Sequence, residues 1–117
     1  MSTKICTSIE QSKKLLSLGL DPNTADMFYN LGESKIPNVI YGCNEDFKCY
    51  LLAWSLTALL KLMPLYNGTT PRLAWSNGLY NCFYYQGYSV SNTNSLVDAA
   101  FEMVCWLIEQ GHIKVNK

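Results

Sequence analysis

The stretch Arg72-Leu73-Ala74-Trp75-Ser76-Asn77-Gly78-Leu79-Tyr80-Asn81-Cys82-Phe83-Tyr84-Tyr85 decides how this chain folds. Asn-Gly between two strand-like runs suits a two-residue type I′ hairpin turn, whose central positions both need positive φ. A turn at Asn77-Gly78 sets the register by counting: Trp75 falls opposite Tyr80, and Leu73 opposite Cys82. Strand alternation then places Leu73, Trp75, Tyr80, Cys82 and Tyr84 on one face. Arg72, Ala74, Ser76, Leu79, Asn81, Phe83 and Tyr85 share the other. Gln86-Gly87 reads as a turn or bulge into a third short strand around Tyr88 to Val90. Such a hairpin is marginal until one face packs on something.

Downstream lies the element that can cover it. Ser95-Leu96-Val97-Asp98 has the form of a capping box, and apolar residues follow at Val97, Ala100, Phe101, Val104, Leu107 and Ile108. Gly111 closes this helix, with His112 and Ile113 beyond it. Its apolar arc is wide enough to expect it at the centre of the domain, with Asp98, Glu102 and Glu109 on the opposite stripe.

Upstream, Ser8-Ile9-Glu10-Gln11 marks a first helix, with Gly19 as its left-handed cap and Leu20 folding back on the last turn. Asp21 and Pro22 read as the N-cap and first residue of a short second helix ending near Tyr29. Ile36 to Tyr41 reads as an edge strand, because Pro37 cannot donate to a central ladder. From Leu51 to Met63, the leucines at 52, 56, 59 and 60 recur at helical spacing until Pro64 stops them. The expected fold is α+β: three to four helices packed on one face of a small antiparallel sheet built around the Asn77-Gly78 hairpin. No internal repeat or linker divides the chain, so residues 1–117 are read as a single domain.

The composition limits function. Of 117 residues 49% are hydrophobic, but only 15% are charged, and nine basic side chains balance nine acidic ones. This hydrophobicity and zero net charge exclude intrinsic disorder. A nucleic-acid partner held by phosphate contacts is not expected, since Arg72 is the only arginine and the lysines are scattered. The longest apolar stretch, Leu51 to Met63, is too short to span a bilayer, so no membrane association is expected. The N-terminal residues carry no long apolar run of a secretory signal, and Cys6, Cys43, Cys49, Cys82 and Cys105 show no metal-binding spacing. Reduced thiols in the cytoplasm are the expectation, with neither metal nor cofactor. Asn67-Gly68-Thr69 matches a glycosylation sequon but is better explained as a turn.

Two constellations could carry catalysis. Cys105 and His112 could form a dyad, but Cys105 lies in the densest apolar run, where a thiol is inert. Asp98 and Glu102, four apart on a helix, could share a proton or a cation, but acidic residues in a first turn already suit the helix dipole. The stronger feature is aromatic: Trp75, Tyr80, Phe83, Tyr85 and Tyr88 stand among Ser, Asn and Gly, the composition of adaptable recognition surfaces. No charged residue occurs between Ala74 and Leu96.

Ser12-Lys13-Lys14-Leu15-Leu16 with Gly19-Leu20-Asp21-Pro22-Asn23-Thr24-Ala25-Asp26-Met27, the stretch Ala53 to Pro64, and the stretch Val97 to Gly111 together carry a resemblance. In this combination the chain resembles small proteins of unassigned activity from gut Bacteroidetes and their phages or mobile elements. The resemblance implies a bacterial or phage cytosolic origin, and no activity, cofactor or catalytic residue. The residues therefore lead to a non-enzymatic module that binds a protein partner or a second copy of itself as a homodimer. The alternative is a small-molecule binder, for a sugar or nucleobase, that stacks its ligand on the hairpin aromatics. A cysteine- or carboxylate-based enzyme is the third reading.

Overall fold

A computed structural model describes residues 5–30, 37–39, 50–65, 68–76, 78–84 and 89–115. The fold is α+β, but it contains two three-stranded antiparallel sheets rather than one. The hairpin forms with the register that the turn dictates. Strands β4 (Pro71–Ser76) and β5 (Leu79–Tyr84) pair Trp75 with Tyr80 and Leu73 with Cys82. Gly78 has φ +77°, the left-handed value the turn requires. Asn77 and the Gln86-Gly87 bend lie outside the described residues. Strand β6 (Ser89–Thr93) continues the sheet in the order β4-β5-β6, with a register shift between Tyr80 and Cys82.

Helix α3 (Leu96–Glu109) lies across β5 and β6. The Ser95 hydroxyl accepts from the Asp98 N–H at 3.0 Å and so caps its first turn. Nine of its residues are buried. They meet Cys82, Tyr84 and Val90 from the sheet, Leu15 from α1 (Ile9–Ser17), and Ala58 and Leu59 from α2 (Leu56–Leu62). The expectation of a central last helix is met.

At the start of the chain, Ser8 and Gln11 form a reciprocal capping box on α1. Gly19 at φ 94° turns the chain so that the Leu20 N–H reaches the Leu15 carbonyl at 3.2 Å, and Leu20 is buried.

Two expectations are corrected here. Asp21 and Pro22 do start a turn, with the Asp21 carboxylate accepting from the Asn23 N–H, but it is a single 3₁₀ turn over Pro22–Thr24. The chain then becomes β1 (Met27–Asn30), with Met27 and Tyr29 buried on either side of a half-buried Phe28. Likewise, the run expected as one helix from Leu51 is β3 (Tyr50–Ala53) followed by α2. Here Leu51 and Ala53 face inward, and Ser55 caps α2 through the Ala58 N–H. β1 pairs with β3 and with the edge strand β2 (Pro37–Val39), completing the sheet β2-β1-β3. The edge position of β2 agrees with Pro37. The described helices are therefore three, and they pack between and against two sheets rather than on one face of a single sheet.

A side-chain contact absent from the sequence pattern sits at the strand–helix switch. The Asp26 carboxylate takes the Ser55 N–H at 2.9 Å and also the Ser55 hydroxyl. These bonds tie the start of β1 to the first turn of α2. The helical spacing of Leu52 and Leu56 thus bridges two elements and belongs to neither.

Candidate interaction surface

The exposed feature of the molecule follows from how far α3 reaches. The helix covers β5 and β6, so β4 lies outboard of it. Cys82 and Tyr84 are fully buried, Leu73 packs at the margin of the core, and Trp75, next on the same face, lies outside it. Its side chain is 64% exposed, which among the described residues is matched only by Leu65 and Ile5 as large apolar surface.

Tyr80 stands directly across β5 from Trp75 and is half-buried. In an antiparallel pair, facing Cβ atoms lie about 4.5–5.5 Å apart, so the two side chains leave the sheet as neighbours on one face, an aromatic ledge. Behind it, Tyr80 opens onto a groove of about 360 Å³ between the first turns of α2 and α3, walled by Ile5, Leu56, Leu96 and Val97. The hydroxyls in this groove are largely committed. The Ser55 hydroxyl donates to Asp26 and accepts from the Ala58 N–H, while the Ser95 hydroxyl accepts from the Asp98 N–H. Its open surface is therefore mostly apolar, with the Thr57 and Tyr80 hydroxyls as the remaining polar groups of its lining.

Of the five aromatics singled out from the sequence, the fold brings Trp75 and Tyr80 together. Phe83 sits on the opposite face, half-buried, across from the exposed Arg72. Tyr85 and Tyr88 lie outside the described residues. The groove residues Ile5, Leu56 and Leu96 had no signal in the sequence, because they come from three distant segments.

The catalytic candidates are dispersed. Burial pushes the Cys105 thiol up to about 11, with Lys14 opposing the shift and Glu102 and Glu109 adding to it. A thiol held protonated is a poor nucleophile. His112 is exposed beyond the end of α3, its ring 5.7 Å from that of Trp106. Asp98 is half-buried rather than wet, and it accepts from the Gln11 Nε2–H at 2.9 Å, linking α3 to α1. Glu102 is exposed. Cys82 is also driven up to about 11 by burial, and Cys6 faces the Tyr29 hydroxyl at 3.6 Å. Cys43 and Cys49 lie outside the described residues. Among the described residues no three His, Cys, Asp or Glu side chains gather as a metal site, and no helix is long and apolar enough to cross a membrane.

No family model matches the chain, and neither a curated protein nor a solved structure proves similar to it.

Proposed function

We propose that this chain is a non-catalytic protein-interaction module whose contact surface is the ledge of Trp75 and Tyr80 with the apolar groove behind it. The observation that carries this reading is the exposed indole of Trp75 beside that groove, in a segment without charge. A solvated Trp next to a concave apolar wall supplies the anchor and pocket that dominate binding energy at protein interfaces. A small polar ligand would need free hydrogen-bonding groups converging on the site. The Ser55 and Ser95 hydroxyls of this groove already serve as helix caps, which favours a protein surface over a sugar or nucleobase.

The test is site-directed photo-crosslinking in cells, with a benzophenone amino acid at position 75 and, as control, at the exposed position of Lys13 on α1. A discrete protein adduct at 75 that is missing at 13, and that Tyr80→Asp abolishes, is the expected result. Equal or absent adducts at the two positions would overturn the reading.

A further inference from the structure

The register of the hairpin fixes which way the backbone of β4 points. Ser76 and Leu79 close a two-residue loop and so form a hydrogen-bonded pair, after which bonded and non-bonded pairs alternate. Ala74 and Arg72 therefore bond to β5, while the N–H and C=O groups of Leu73 and Trp75 point away from it, toward the outer edge. No described strand pairs with that edge. Pro71, also an outward position, has no N–H to offer. The edge thus presents two complete donor–acceptor residues, two positions apart, beside the exposed Trp75.

Resting on the interaction-module reading above, we infer that the partner is a second copy of this chain, joined by antiparallel pairing of β4 with β4 about a two-fold axis at Ala74. Three observations select the second copy and this register. First, bonded pairs on this edge must join residues 71, 73 and 75. Centring on Ala74 sets Leu73 of one copy against Trp75 of the other, twice, and every donor finds an acceptor. Centring on Leu73 instead would set Trp75 against Pro71, which lacks the N–H.

Second, a two-fold axis brings like charges together, and β4 carries one, Arg72. About Ala74 the two arginines are four positions apart along the strands, roughly 13 Å at ~3.4 Å per residue, beyond the ~8–10 Å screening length. About Leu73 they would be two positions apart, roughly 7 Å at the same rise, and would repel. From Ala74 to Leu96 no charge either opposes a second copy or selects a charged partner, and the whole chain has a formal net charge of zero.

Third, the pairing covers the exposed indole. Leu73 and Trp75 share one face, so Trp75 is flanked by Tyr80 of its own chain and Leu73 of the other. The result is a continuous six-stranded sheet with both copies of α3 on the same side. A ladder this short buries less than the ~1,600 Å² of a standard interface, so the dimer is weak and populated at high micromolar protein.

Across the two-fold, Ala74 meets its own copy in a non-bonded pair, where Cα atoms approach to about 4.5 Å, within disulfide range. Ala74→Cys in the full chain, oxidised at high micromolar concentration, is expected to yield a covalent dimer. Arg72→Cys and the unsubstituted chain, with its native thiols, are expected not to do so. In sedimentation equilibrium the unsubstituted chain should dimerise, and Trp75→Ala should weaken that dimerisation by about tenfold or more. A strict monomer at several hundred micromolar without an Ala74→Cys dimer overturns the inference, as does a dimer that crosslinks at 72 and not at 74. If the benzophenone at 75 meanwhile captures a different protein, self-pairing fails but the module reading stands. If it captures nothing and no dimer forms in solution, both fail.

Discussion

Beneath β4-β5-β6 the contact with α3 is mostly apolar: Cys82, Tyr84 and Val90 meet an apolar helix face, and the polar bonds lie at its margins, the Tyr84 hydroxyl to the Pro64 carbonyl at 2.6 Å and the Thr93 hydroxyl to the Ser95 carbonyl at 3.1 Å. Beneath β2-β1-β3 the buried contact is threaded with hydrogen bonds. There the Tyr29 hydroxyl donates to the Thr7 carbonyl at 2.8 Å, the Thr7 and Ser12 hydroxyls meet at 2.7 Å, and the Trp54 N–H donates to the Thr7 hydroxyl at 3.1 Å. The Thr7 N–H returns the bond to the Trp54 carbonyl at 2.8 Å. The difference follows from chain connectivity. A two-residue turn sets the register of β4 and β5, so the hydrophobic effect, which has no direction, can do the rest. β1 and β3 are separated by a long stretch of sequence, and the segment around Thr7 comes from a third place. Directional bonds that are costly to leave unmade fix how those three meet.

Alkali gives the largest expected effect, and on the apolar side it acts through two thiols, while burial also raises the Tyr29 hydroxyl on the other side. The Cys82 and Cys105 thiols titrate near 11 in the folded chain, against 9.0 ordinarily, because burial disfavours the thiolate. Between those values the unfolded chain releases protons that the folded one keeps. The stabilisation is therefore complete below pH 9 and is lost as pH rises through 11. At about 1.4 kcal/mol per pH unit for each thiol, the pair accounts for a loss of at most about 5 kcal/mol, reduced by whatever solvent screening reaches the sulfurs. Urea melts at successive pH values check this, and a Cys82→Ala/Cys105→Ala chain should show a flatter decline despite its lower starting stability. An equal slope in both chains would refute the assignment.

Next comes Trp54→Ala, which strikes where the two regions join. Trp54 is fully buried in the main core, yet its indole N–H reaches the Thr24 hydroxyl at 2.9 Å and its backbone belongs to the Thr7 network. Removing so large a buried ring should cost about 3–5 kcal/mol, read from denaturant midpoints at constant slope. A cost below 1 kcal/mol would show that Trp54 does not bridge the two halves.

Thr7→Val isolates the polar side. It keeps the shape but strips the hydroxyl from the Trp54 N–H and from Ser12, for an expected loss of about 1–3 kcal/mol. Ser12→Ala in addition removes the other stranded hydroxyl, so the double variant should lose less than the sum of the two singles. Strict additivity would mean that the two hydroxyls do not act as a pair.

The smallest effect is expected at the ledge. Trp75→Ser lies outside both cores, so monomer stability at low protein concentration should move by no more than ~0.5 kcal/mol. A large loss would place Trp75 in the core and remove the basis for reading it as a contact surface.

How far the sequence could be read tracks this same division. The hairpin register, the caps at Ser8 and Ser95, the turn at Gly19 and the central place of α3 were all legible, because each depends on residues within a few positions of one another. The first sheet was not. Leucines at 52 and 56 mimic one helix across the strand–helix junction; Ser55, whose hydroxyl caps α2, is a weak local signal between them, and its bonds to Asp26, 29 residues away, form only on folding. Met27, Phe28 and Tyr29 are too short a run for period two to outweigh the helix start at Pro22. Of the surface, the aromatic composition and the missing charge could be seen in advance. The groove behind Tyr80 could not, since Ile5, Leu56 and Leu96 converge only after folding.

The sequence by itself determined the hairpin, its register, the helix boundaries that carry caps, and the neutrality of everything from Ala74 to Leu96. Those features arise from turn sterics, capping hydrogen bonds and composition, which act over a few residues. The tertiary structure alone decided that there are two sheets and that α3 lies over β5 and β6, so that of two aromatics on one face of the hairpin Tyr80 is half-covered and Trp75 is left in water. Burial depends on which distant segment arrives on top, and the span of a helix over a sheet is not written in either element.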